Sequence, residues 1–235
     1  MKKVFASVII GLALGAMSVV SAADMSVGGG GFFTSDLGGG FFGFAGKYDD
    51  GTKASETVPW TGGGVHAFLD MDYVEFGVDL TFGSGTPQST YDGKTDKSST
   101  TISFTGLGIS VLGKYPIALA ENMSLYPAAG IDYALVLAGE SKSGSYKQKL
   151  GEGGAPKPGE FSALWIKFGG GLDFALSETM FVRPELLYGI RLANKYENDY
   201  VKRVKDQANA YGESVDIHPA LGHGLTVKAG VGLRL

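Results

Sequence analysis

Residues 73–82, YVEFGVDLTF, alternate without a break: Val74, Phe76, Val78, Leu80 and Phe82 fall on one side, Glu75, Gly77, Asp79 and Thr81 on the other. Side chains on a strand point alternately to its two faces, so the pattern predicts a strand with one apolar and one polar face. Four more segments repeat it: 123–138, 161–176, 180–192 and 225–235. In each, Leu, Ile, Val, Phe or Tyr line one face. The other carries Gly, Ala, Thr and isolated charges, such as Asp132, Lys167, Asp173, Arg183, Glu185, Arg191, Lys228 and Arg234.

Three further strands are read at 101–115, 61–69 and 25–35. In the first, the apolar face slips near Thr105-Gly106, which predicts a bulge. The other two are glycine-rich, and pattern fixes their register poorly. Pro127 and Pro184 fall inside predicted strands, where a missing ladder donor calls for an open pair or bulge. The total is eight strands. Their connections alternate in length: 69–72, 116–122 and 177–179 are short, while 36–60, 83–100, 139–160 and 193–223 are long and polar. Short turns at one end and long loops at the other are the layout of an antiparallel up-and-down transmembrane β-barrel with an even strand number.

Sidedness follows from volume. Eight strands enclose an interior just wide enough to be filled by side chains. Leu, Phe, Ile and Val at every apolar position would overfill it, whereas Gly, Ala, Thr and a few long charged groups fit. A soluble barrel would also put the glycine-rich face in water, where charged residues ordinarily predominate. The apolar face is therefore expected to meet lipid. The inward charges then balance, Glu75, Asp79, Asp132, Asp173 and Glu185 against Lys167, Arg183, Arg191, Lys228 and Arg234. Enclosed charges are costly unless paired, so these ten are expected to form a structural network that closes the lumen. Phe161 and Trp165 are placed near its outer mouth.

The remaining features narrow the setting. Residues 1–23 carry Lys2 and Lys3, an apolar run and Ser21-Ala22-Ala23, the layout of a cleaved signal peptide, with the barrel domain at 24–235. The 235 residues contain no cysteine, so packing and backbone pairing alone must hold the fold. A net charge of −4 speaks against nucleic acid as a partner. GGGFFG at 38–43 matches a dinucleotide fingerprint only in letters, because no helical pattern follows. Gly93-Lys94-Thr95 lacks the first glycine of a phosphate loop. His66, His218 and His223 have neither metal-ligand spacing nor a nucleophile elbow beside them, so no cofactor, metal or catalytic residue is expected. Residues 195–211 form either a short helix, with a recognition surface at the loop tip, or a solvated loop.

FVRPELLYGIRL (181–192) and LTVKAGVGLRL (225–235) together resemble the last two strands of the small eight-stranded outer-membrane barrels of the OmpA transmembrane domain, OmpX and OmpW type. Members of that family usually end in an aromatic residue, where this chain has Leu235. The resemblance implies integral residence in a bacterial outer membrane, contact with its lipids, and recognition of the C-terminal strand by the barrel assembly machinery. It implies one of two non-enzymatic roles. Either the loops contact extracellular or host ligands above a closed lumen, or the lumen is a narrow channel for small, partly hydrophobic solutes.

Overall fold

The computed structural model describes residues 25–48, 51–211 and 214–235. The predicted signal peptide at 1–23 lies outside the described residues. Eight long strands form the barrel wall: β1 (Met25–Gly38), β2 (Trp60–Met71), β3 (Val74–Gly85), β4 (Thr100–Lys114), β5 (Met123–Ser143), β6 (Ala163–Ala175), β7 (Met180–Arg191) and β8 (Gly222–Arg234). Each pairs antiparallel with its neighbours in sequence, and β1 pairs with β8 from Ser26↔Arg234 to Gly38↔His223, which closes the sheet. Among the described residues no helix is long and apolar enough to cross a membrane; the strands alone could do so.

The period-two pattern sets which way each residue points. Val65, Ile131, Leu186 and Val231 face outward and keep 51–59% of their surface exposed, while Glu75, Arg183 and Lys228 face inward with 3%. In water this would be the inverse of a stable arrangement. Only a lipid environment satisfies an apolar exterior around an ion-paired interior. At the short-turn end, the Asp72-Tyr73 turn places Asp72 at φ 51°, a left-handed conformation that Asp tolerates. Tyr73 and Tyr115 stack there at 6.1 Å, on the exposed rim.

The two prolines sit where donors are not needed. The β4–β5 ladder ends at Ala128↔Lys114, one residue before Pro127. The β6–β7 ladder skips from Gly171↔Glu185 to Phe174↔Val182, past Pro184. The bulge predicted at Thr105-Gly106 is corrected: β4 alternates unbroken, and the register shift lies opposite, between Val136 and Ala138 of β5. The apparent slip arises because Phe104 points into the barrel mouth, where apolar groups are buried.

The long connections carry regular structure of their own. A second, five-stranded antiparallel sheet runs 215–219, 43–48, 53–57, 88–91, 94–97, drawing on three of the four. Asp92 and Gly93, with φ 45° and 78°, supply the tight turn of its last hairpin. Residues Lys195–Ala210 form a helix, α1, opened by a capping box in which Asn194 and Glu197 satisfy each other's backbone N–H groups. Tyr200 of α1 stacks on Phe44 at 4.4 Å, laying the helix against one face of the small sheet.

Candidate functional site

The interior is built in layers. At the short-turn end an open vestibule of about 510 Å³ leads to Arg183, the hub of an ionic cluster. Its guanidinium donates to both oxygens of Asp173 at 2.6 and 2.8 Å, to Glu75 Oε2 at 3.0 Å, and pairs with Asp70 at 2.7 Å. Lys114 Nζ bridges Asp70 at 2.5 Å and Glu75 at 3.2 Å. Ser26 Oγ donates to Asp70 at 3.1 Å. The guanidinium also lies over the rings of Phe68, Tyr126 and Phe181, 4.4–4.9 Å from their centroids. Arg is suited to this position because its planar fork serves several carboxylates and stacks on aromatic faces.

Above the hub, Tyr126 donates its hydroxyl to Glu185 Oε2 at 3.0 Å, and Lys228 Nζ donates to both oxygens of Asp79 at 3.2 Å. Lys167 pairs with Asp132. A chamber of about 80 Å³ lies over these pairs, bounded by Asp79, Asp132, Lys167, Thr34, Thr226 and Trp165 among others. Its roof is aromatic. Phe41 stacks on Phe104 at 4.4 Å and on Phe161 at 5.6 Å, Trp60 meets Phe104 edge-on at 5.1 Å, and Tyr196 of α1 covers Phe161 at 4.7 Å.

A latch secures the roof. Arg191, at the end of β7, donates Nη1 and Nη2 to the two oxygens of Glu197, both at 2.7 Å. Its Nε donates to the Gly40 carbonyl at 3.1 Å. Glu197 in turn accepts from the backbone N–H of Gly43 at 2.6 Å and of Asn194 at 2.8 Å. One ion pair thus ties the first loop and the last loop to the barrel wall.

The structure places the sequence-predicted residues as follows. Glu75, Asp79, Asp132, Lys167, Asp173, Arg183, Glu185 and Lys228 line the interior. Arg191 does so at the long-loop end, with a partner in α1. Phe161 belongs to a short 3₁₀ turn (Pro158–Phe161) in the roof, and Trp165 lines the chamber below. Arg234 lies outside the network: it is exposed at the short-turn end and reaches the Glu178 carbonyl at 3.5 Å. Nor are the inward charges five against five. Asp70 and Lys114 join them, leaving six acids and four bases below the Arg191–Glu197 latch. Both additions were within reach of the pattern, since Asp70 continues the inward phase of His66 and Phe68, and Lys114 that of Ser110 and Leu112. Glu185 Oε1 and Asp132 Oδ1 are buried with no hydrogen-bond partner among the described residues.

His66 faces inward, stacked on Phe68 at 5.9 Å. His223 faces outward and shares a 2.7 Å hydrogen bond with the Tyr188 hydroxyl. His218 is exposed on the small sheet.

No family model matches the chain, and no curated protein is similar to it in sequence. Solved structures similar in chain path include the following three. Neisserial surface protein A shares 11% identity over 92% of this chain and 100% of its own, with a TM-score of 0.47. The outer membrane protein OprG of Pseudomonas aeruginosa shares 15% over 91% and 96%, with 0.44. The N-terminal β-barrel domain of OprF, also from Pseudomonas aeruginosa, shares 12% over 91% and 100%, with 0.35.

Proposed function

We propose that this chain is an integral protein of a bacterial outer membrane, exported by its N-terminal segment, whose closed barrel anchors a structured extracellular platform. It acts by surface contact rather than by catalysis or conduction. The observation that carries this reading is the double seal at the outer mouth, an aromatic roof locked by Arg191 and Glu197, above a lumen crossed by ion pairs. Outer-membrane lipids surround the apolar belt, and the last strand, Gly222–Arg234, is the segment offered to the barrel assembly machinery.

A second reading, a narrow conduit for small and partly hydrophobic solutes, draws on the chamber of about 80 Å³ under Phe161 and on the open vestibule beneath the hub. Planar-bilayer recording of the refolded chain separates the two. The closed-lumen reading expects a silent trace. Reproducible unitary steps, altered by Arg183→Ala, overturn it in favour of the conduit.

A further inference from the structure

The small extracellular sheet has two unlike faces. Phe44, Gly46, Tyr48, Val215 and Ile217 alternate onto the face that α1 covers. The opposite face is bare. Cross-strand register builds it in rows: Asp216, Lys47 and Lys53 stand side by side, and the next row runs His218, Ala45, Ser55, Thr90 and Thr95. Together they line an open groove of about 470 Å³.

Three properties of this face need a common cause. First, Lys47 and Lys53 are directly opposite each other, an arrangement that costs a sheet stability. Neither forms an ion pair among the described residues, although Asp216 is the register partner of Lys47. Second, the floor between the charges is made of small or hydroxyl-bearing residues, Ala45, Ser55 and Thr90, with Thr90 and Thr95 sharing a hydrogen bond at 2.9 Å. Third, among the described residues no Phe, Tyr or Trp side chain reaches this face; the nearby rings Phe44, Tyr48 and Tyr91 belong to the other one, and His218 is the one ring on this side.

From these we infer that the Lys47–Lys53 face binds an extracellular anionic polysaccharide, a chain bearing sulfate or carboxylate groups. Paired lysines supply the charge, and neighbouring strands about 4.8 Å apart present them at close spacing. Ser55, Thr90 and His218 supply hydrogen bonds to sugar hydroxyls beside them. A neutral sugar is disfavoured because the face offers no Phe, Tyr or Trp ring to stack on. An added peptide strand is disfavoured because a sheet face, unlike an edge, has its backbone groups already paired. The inference rests on the surface-platform reading and names the partner class of that platform.

The test uses the full chain refolded in detergent. Binding to sulfated dextran, uncharged dextran and polyglutamate is measured by calorimetry, with folding checked by heat-modified gel migration. Sulfated dextran is expected to bind, more weakly as salt rises. K47A/K53A is expected to weaken it by about tenfold, and K47R/K53R to retain it. Uncharged dextran is expected not to bind. Sulfated dextran binding that K47A/K53A leaves unchanged, or no binding at all, overturns the inference. So does polyglutamate binding as tightly and being lost in the same variant, which indicates an acidic peptide. Labelling of K53C on intact cells keeps the premises apart. A site labelled from outside that ignores sulfated dextran sinks this inference alone, while a site that cannot be labelled sinks the platform itself.

Discussion

Arg191 and Glu197 lie six positions apart in the chain, one ending a barrel strand and the other opening a helix, and they meet through two parallel bonds of 2.7 Å. Both side chains are almost wholly shielded from solvent, at 2% and 0% exposure. Removing one partner strands the other charge. Either Arg191→Ala or Glu197→Ala is expected to cost about 3–5 kcal/mol. The double variant should cost much less than the sum, which a double-mutant cycle on urea unfolding measures. The singles should also expose residues 39–44 and 194–197 to protease.

Arg183 holds three carboxylates, so Arg183→Met leaves Asp70, Glu75 and Asp173 short of a counter-charge. A loss of about 3–5 kcal/mol is expected by urea unfolding in detergent. Arg183→Lys should recover only part, because a point charge cannot reproduce the planar fork.

The aromatic roof should be load-sharing with the latch. Phe161→Ala is expected to cost about 3–5 kcal/mol and to open the chamber from above. The chain has no cysteine, so Ala134→Cys, on the chamber wall, is a unique probe. It should resist a bulky polar thiol reagent when Phe161 is present and react when Phe161 is replaced by Ala.

Two adjacent glycines in β1 should behave oppositely. A methyl group at Gly30 would lie 2.0 Å from the Ala229 carbonyl oxygen, across the β1–β8 seam, whereas one at Gly31 meets nothing nearer than 3.7 Å. Gly30→Ala is expected to cost at least about 1–3 kcal/mol and to lower the yield of folded, heat-resistant barrel. Gly31→Ala should fold like the parent chain.

Burial under α1 raises the Glu56 carboxyl above the usual carboxylate range. The folded state then holds this proton more tightly than the unfolded state. The sign follows from linkage: this carboxyl's contribution to the stability of the small sheet is greatest at acid pH, declines as pH rises past the ordinary glutamate value, and levels off above the raised one. Glu56→Gln should flatten that slope and give a more stable sheet at pH 7, read by hydrogen exchange at residues 43–57.

The wall was legible because its signal is local and redundant. Once Val74 to Phe82 fix a phase, every second residue is assigned, and a closed barrel demands the same phase from each neighbour. Pattern stops being informative where a residue's place depends on depth or on a distant partner. Phe104 turns inward because the mouth at the long-loop end is sealed by rings, so an apolar side chain there imitates a bulge. Arg234 has the inward phase but lies beyond the enclosed layer. Glu197 was invisible as a partner for Arg191, because nothing in a charged loop sequence says that its helix will dock on the barrel rim. The small sheet is hidden in the sequence for a related reason. Its strands are only four to six residues long and come from three separate connections.

The seam between β1 and β8 ties the first strand to the last. Synthesis from the N-terminus therefore cannot release a finished wall piecemeal, because Met25–Gly38 keeps an unsatisfied edge until Gly222–Arg234 arrives. A shortened chain ending before residue 222 would present two raw edges inside a hydrocarbon phase that solvates neither. The wall is therefore complete only when its two ends meet, and Gly222–Arg234 is the piece that closes it.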